Sequence, residues 1–272
     1  MVSFFCLMIQ ANINSIILVF WNMNLKLNPM KFLLVFSIIC MSTFKTFGQS
    51  FEGSWQLVEL NGETVTNRKV VKTVVDGYFA LGSKSTSDNS FLGAAGGEFQ
   101  IKEDKLIENR DFDTYDASKI NEERVYELDW VNNDLLKISD DNHEKIWKRL
   151  SNENNSLSGN WVITGRMRND EMRTMTPGDR RTIKILNGNR FQWVAFNSAS
   201  KTFNASGGGT YSAEDGTYVE NITFFSKNKD RVGAELQFQF EVIDGAWHHK
   251  GNSSKGDPIH EIWSPYAEAY NK

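Results

Sequence analysis

Hydrophobic and polar residues alternate along most of this chain with the two-residue period of a β-strand, in short runs closed by turn-forming residues. Gly53-Ser54-Trp55-Gln56-Leu57-Val58-Glu59-Leu60 ends at Asn61-Gly62, and Val70 to Val75 is separated from Tyr78 to Leu81 by Asp76-Gly77. Phe99 to Ile101, Leu106 to Phe112, Val125 to Val131, Leu135 to Ile138 and Ile146 to Leu150 follow. Past a polar, unpatterned stretch the alternation restarts at Gly159-Asn160-Trp161. It continues through Thr182 to Leu186, Arg190 to Phe196, Gly209 to Tyr211, Tyr218 to Phe225, Leu236 to Ile243, Trp247 to Lys250 and Ile259 to Trp263. Asn187-Gly188-Asn189 and Asp244-Gly245 carry hairpin chemistry. Two segments break the pattern: Gly82 to Asn89 reads as a Ser/Asp-rich loop, and Arg166 to Arg181 as a short lid helix plus loop or a long connection.

The second half repeats the first. Gly96-Gly97-Glu98-Phe99, Glu108-Asn109 and Phe112 return as Gly208-Gly209-Thr210-Tyr211, Glu220-Asn221 and Phe224, at a constant offset of 220 − 108 = 112 that also carries Tyr126, Leu128 and Trp130 onto Phe238, Phe240 and Val242. A tandem duplication of one β domain accounts for this. Short strands joined by tight turns, without a long amphipathic helix, point to an antiparallel meander, and closure removes the exposed edges of such a sheet. The expected fold is all-β: two tandem antiparallel up-and-down β-barrels, with a sandwich as the alternative. The expected divisions are a leader over 1–48, a first barrel over 51–150, a linker over 151–156 and a second barrel over 157–266.

The leader changes the picture of location. Met30-Lys31 followed by the apolar run Phe32 to Met41, with small residues at Thr46 and Gly48, reads as a signal peptide cleaved before Gln49, and the run is shorter than the ~20 residues of a spanning helix. Residues 1–29 read as upstream sequence ahead of a true start at Met30, the rival being a membrane anchor built from both apolar stretches. Cys6 and Cys40 are the chain's two cysteines, so the expected mature chain has no disulfide, thiolate metal site or cysteine nucleophile. Cys40 lacks the small preceding residue of a lipid-attachment site. The net charge of −4 argues against a partner tracked through its phosphates, so nucleic acid is not expected. A secreted or periplasmic protein of the bacterial envelope is.

Gly53-Ser54-Trp55 and Gly159-Asn160-Trp161, each at the head of a first strand, resemble the opening signature of the calycins, the lipocalin and fatty-acid-binding-protein group. Gly-Gly-x-aromatic followed by Glu-Asn is similar to small lipocalin-like domains of exported bacterial proteins. The resemblance implies that the signature Trp closes the barrel floor beneath an Arg from the last strand. Arg149 can fill that role in the first domain; Pro265 stands at the matching place in the second.

If the larger aromatic face of Tyr218 to Phe225 lies inside, Glu220 projects inward with Tyr218, Ile222 and Phe224, and Glu108 does so beside Leu106 and Phe112. A carboxylate among aromatics needs a partner or a proton. Glu220 therefore pairs with an Arg such as Arg166 or Arg190, orients a polar ligand, or serves as an acid or base. Phe191, Trp193, Tyr211, Tyr218, Phe238, Phe240 and Trp247 join it as candidate ligand-lining residues; a barrel filled by the same side chains is the alternative. The second domain has Trp193 and Trp247 where the same offset places Leu81 and Leu135. His248 and His249 face oppositely on a strand, and rim or surface histidines are expected; a zinc site of His249, His260 and Glu261 would need neighbouring strands to bring the three together. Gly207-Gly208-Gly209 reads as a close backbone approach rather than a phosphate loop. No catalytic residue, cofactor or metal is assigned. The sequence points to a non-enzymatic protein holding a small apolar or amphipathic ligand in its second barrel. The alternatives are an envelope module with filled barrels that binds a protein or glycan, and a calycin-type isomerase or hydratase using Glu220.

Overall fold

The computed structural model describes residues 50–253 and 256–269; the leader, with Met30, Cys40 and the cleavage site before Gln49, lies outside them. Two closed, eight-strand antiparallel barrels stand in tandem. The first comprises β1 (Gly53–Leu60), the short β2 (Glu63–Thr64), β3 (Arg68–Val75), β4 (Tyr78–Ser85), β5 (Phe91–Lys102), β6 (Lys105–Asp113), β7 (Glu123–Asn132), β8 (Leu135–Ser139) and β9 (Glu144–Ser151). Its strands follow chain order, and β9 returns to β1 with Leu57 opposite Trp147. The second comprises β10 (Gly159–Arg168), β11 (Glu171–Thr174), β12 (Arg180–Asn187), β13 (Arg190–Asn197), β14 (Thr202–Glu214), β15 (Thr217–Phe225), β16 (Glu235–Ile243), β17 (Ala246–Asn252) and β18 (Pro258–Pro265), closing with Ile163 opposite Trp263. A single helical turn, α1 (Tyr266–Ala269), follows.

Turn chemistry sets the hairpins. Asn61-Gly62, Asp76-Gly77, Gly188-Asn189 and Asp244-Gly245 hold both central residues at positive φ, which matches the twist of the flanking strands. The segment from Arg166 to Arg181 forms neither a lid helix nor one long connection. Asn169 and Asp170, also at positive φ, fold the end of β10 onto β11 with Met167 opposite Met172. The expected Gly82 to Asn89 loop is strand in its first half, where β4 runs on to Ser85, and turn in its second, before β5 begins at Phe91.

Small residues make this part of the sheet polar or neutral by composition, yet they are there to be packed against. A Cβ added at Gly82 would collide with the ring of Phe224 from the other barrel. Each barrel has its own apolar interior, around Trp55, Phe79, Leu136 and Trp147 in the first and around Trp161, Tyr218, Trp247 and Trp263 in the second. A third core lies between them. Val75, Tyr78, Ala80, Ala94 and Phe112 of the first barrel meet Val162, Ile183, Ile185, Val194 and Phe196 of the second, with Tyr266 of α1. Phe112 packs on Phe196 at 5.0 Å between ring centres, and Phe91 stacks on Phe203 at 5.8 Å. Polar groups pin the seam: Asn187 donates to the Val74 carbonyl (2.8 Å), Ser54 to the Gly188 carbonyl (2.9 Å), and Arg181 pairs with Asp111 (2.8 Å).

The duplicated Gly-Gly and Phe build this seam. Between Gly96 and Gly97, and again between Gly208 and Gly209, the register slips by one residue, so that Gly208 faces Phe224 while Gly209 faces Ile222. The bulge reverses the alternation. Phe112 and Phe224 turn out of their barrels into the junction, and Phe225 turns in to pack with Trp193. The expected inward placement of Phe112 and Phe224 is therefore corrected, while Glu108 and Glu220, ahead of the bulge, stay inside. A Cβ at Gly97 or Gly209 would run into the carbonyl oxygen of Asn109 or Asn221, backbone that cannot swing aside. Gly209→Ala is expected to cost about 1–3 kcal/mol by this overpacking, whereas Gly178→Ala, with open space around it, should stay within about 0.5 kcal/mol of wild type; urea midpoints of the two variants check this.

Candidate functional site

Strand alternation sends Lys72 of β3 and Lys184 of β12 into the barrel interiors, where each meets the Glu of β6 or β15. Lys72 Nζ lies 3.1 Å from Glu108 Oε1 and Lys184 Nζ 2.7 Å from Glu220 Oε1, and all four side chains are buried. Aromatic rings close around the ammonium groups. Lys72 sits 4.6 Å from the Phe79 ring and 5.1 Å from Trp147; Lys184 sits 5.2 Å from Trp247 and 5.3 Å from both Tyr218 and Trp263. Rings of this kind supply electron-rich faces to a cation that has given up its water. The expected Arg partners are thus replaced by lysines. Arg166 instead pairs with Glu261, and Arg190 lines a cleft outside the barrel.

Beyond the shared pair the two interiors diverge. In the first, Arg110 bridges Glu108 (2.9 Å) and Asp113 (2.5 Å) and donates to the Tyr126 hydroxyl (3.1 Å). Burial opposes the Glu108 charge, but Lys72 and Arg110 outweigh it and hold the carboxyl below its usual range; burial pulls Lys72 below the ordinary lysine value. The second has Ile222 at the Arg110 position and a different polar set. Arg166 reaches Glu261 at 2.5 Å, Trp263 donates to the same carboxylate at 3.2 Å, and His249 Nδ1 lies 3.5 Å from it. Burial works against the Glu261 carboxylate too, yet His249 and Arg166 hold its pKa at about 2. Burial, reinforced by Lys184, lowers the His249 pKa, and burial beside Glu220 raises the Tyr218 phenol well above its usual value. Trp247 Nε1 and His249 Nε2 are enclosed without a hydrogen-bond partner, and the Tyr218 hydroxyl is directed at Glu220. The expected rim position of His249 is corrected: it is 2% exposed, packed 4.2 Å from Phe238, while His248 and His260 face each other on the opposite side of the sheet. No three-residue metal-ligating group occurs among the described residues.

Of the expected ligand-lining residues, Phe191, Tyr211, Tyr218, Phe238 and Trp247 lie together in the second core, Phe240 packs on it half-buried, and Glu220 is beside them with Lys184. Tyr218 and Trp247 have no accessible surface, so no water-sized space reaches them. Trp193 is partly exposed and packs 5.6 Å from Phe225. Phe225, Leu236 and Ile259 occupy the strand ends away from Trp161 and form the half-buried mouth of the barrel. The counterpart of Trp247 is Leu136 rather than Leu135. Both stand opposite the Trp of the last strand, and a bulge at Val131 in β7, with no counterpart in the β16–β17 pairing, accounts for the one-residue difference. At the floor, Trp55 Nε1 donates to the Phe51 carbonyl and Trp161 Nε1 to the Leu157 carbonyl, both at 2.9 Å. Arg149 covers Trp55 at 4.0 Å and donates to the Glu52 and Ser50 carbonyls, while Pro265 stands opposite Trp161.

A family model described as a domain of unknown function, DUF4488, matches residues 156–268, which contain the second barrel. No curated protein matches the chain. Among solved structures, an uncharacterized protein from Bacteroides eggerthii is similar at 15% identity and a TM-score of 0.30, over 37% of this chain and 99% of that one. The vaccine antigen transferrin binding protein B from Haemophilus parasuis is similar at 8% identity and a TM-score of 0.21, over 75% of this chain and 61% of that one.

Breaking the interior pair leaves a lone buried charge, so Lys184→Met is expected to cost about 3–5 kcal/mol, and Lys184→Met with Glu220→Leu to recover most of that loss; chemical denaturation of the single and double variants measures it. His249 titrates lower in the folded chain than in the unfolded one. Its contribution is therefore complete above the ordinary histidine pKa near 6.5 and declines as pH falls below it, because the unfolded state takes up the proton first. His249→Phe should consequently lose less stability than wild type between pH 7 and pH 5, read from urea midpoints at the two values.

Proposed function

We propose that this is an exported, non-catalytic module of the bacterial envelope, calycin-like in fold, that works through its outer surface and loops rather than through a ligand held in a barrel. The single observation behind this is the filled interior. Where a lumenal ligand would sit in the second barrel, Tyr218 and Trp247 are sealed by their neighbours and the Lys184–Glu220 pair occupies the centre. An acid–base role for Glu220 would require substrate to reach a carboxylate 3% exposed, which the packing opposes. The leader pattern supports export. Among the described residues no helix is long and apolar enough to cross a membrane.

A second reading rests on the enclosed, unpartnered Trp247 Nε1 and His249 Nε2 beneath the half-buried Trp193, Phe225, Leu236 and Ile259. A small amphipathic molecule entering at that mouth would find apolar walls with polar groups below them, the usual composition of a ligand pocket. Native mass spectrometry of the protein purified gently from its own host separates the two. The expected spectrum shows a chain beginning at Gln49 with no added mass; a retained small molecule, lost in Trp193→Ala, would favour the barrel mouth.

A further inference from the structure

The cleft where the barrels meet has a composition that neither the folds nor the interior pairs require. It encloses about 100 Å³ between the outer faces of β3 and β4 and the strands β13, β14 and β15. Lys69, Lys84 and Arg190 line it with Thr73, Gln192, Thr210 and Thr223, over a floor that includes Val71 and Phe224, and no Asp or Glu is among the lining residues. Lys69 and Lys84 are register partners on neighbouring strands. Two like charges placed directly opposite repel, so this arrangement costs stability unless an anion offsets it. Lys84 has a neutral acceptor, Asn89 Oδ1 at 2.7 Å. Arg190 is half-buried at the start of β13, and burial lowers its pKa with no carboxylate to oppose the effect. This contrasts with Arg110, Arg166 and Arg181, each bound to a carboxylate.

We infer that this junction cleft is a binding site for a small oxyanion of the phosphate or sulfate type, held by Arg190, Lys69 and Lys84. Three cations against an apolar floor favour a doubly charged guest, because the lower local dielectric strengthens each attraction. The hydroxyls of Thr73 and Thr210 line the cleft and can donate to its oxygens, whereas Gln192 is already engaged with the Leu81 carbonyl and Ser206. The site takes residues from both barrels, so it exists in the two-barrel chain and in neither half alone. It does not depend on whether the second barrel is filled.

The test titrates the intact chain with sodium phosphate and sodium sulfate against sodium chloride at matched ionic strength, following backbone amide resonances and melting temperature. The expected result is a saturable shift of the Gly82, Gly209, Thr210 and Thr223 amides and a rise in melting temperature with the divalent anions alone. Arg190→Gln should weaken binding at least tenfold. Lys69→Gln, which removes an exposed charge without disturbing packing, should weaken it several-fold and raise the melting temperature of the anion-free protein. A control at Lys102, on another part of the sheet, should change neither. Glycerol 3-phosphate distinguishes the sources: binding at least as strong as inorganic phosphate assigns the site to a phosphate group on a larger molecule, and weaker binding assigns it to the free ion. Shifts equal to those in chloride, or shifts that persist unchanged in both Arg190→Gln and Lys69→Gln, would overturn the inference.

Discussion

Two ammonium groups held inside aromatic cages, each against one carboxylate, set the terms for the rest of this molecule. Taking a lysine and a glutamate out of water is costly, and close pairing recovers that cost only where the geometry is good and the remaining polar contacts are met. The barrels meet the requirement by different means. The first surrounds Glu108 with Lys72 and Arg110 and extends to Asp113; the second keeps Lys184 and Glu220 as a pair and places Arg166, Glu261 and His249 nearby. In both, the strands that carry the pair must hold their register, since a slip by one residue would turn a charged side chain to the outside and an outward one into the core. The pair thus sets a penalty on the wrong register.

The architecture was legible because its signals are local. Alternation, Asn-Gly and Asp-Gly turns and a fixed repeat are all written in adjacent residues, and both the hairpins and the closed barrels follow from them. Glu108 and Glu220 could be placed inside by the same alternation. Their lysine partners carried a signal too, since Lys72 and Lys184 differ by the same 112 that relates the glutamates. A lysine in a run such as Val70 to Val75, however, reads as an outward residue when hydrophobicity alone is weighed.

What escaped sequence reading depends on contacts between distant segments. The reversal of Phe112 and Phe224 comes from a bulge whose evidence is a pair of glycines, and glycines report close approach without saying to what. The extra length of β4 and β5 is hidden by small residues chosen for a neighbouring barrel. His249 looked like a rim residue because a histidine pair gives no sign of which member is enclosed. The Gly-x-Trp opening of the first strand pointed to Arg149 over Trp55, and those two side chains, 94 positions apart (149 − 55 = 94), are in contact.

The apolar wall between the barrels has a bearing on the history of the chain. Once Val75, Tyr78, Ala80 and Phe112 had come to rest on Val162, Ile183 and Phe196, the duplicated halves ceased to be interchangeable beads. Losing either would strip a greasy flank bare and leave the survivor prone to cling to another copy of itself. The two flanks are not copies of each other either: at the offset of 112, Val75, Tyr78 and Ala80 fall on Asn187, Arg190 and Gln192, whereas the lysine–glutamate pair inside is the same in both halves.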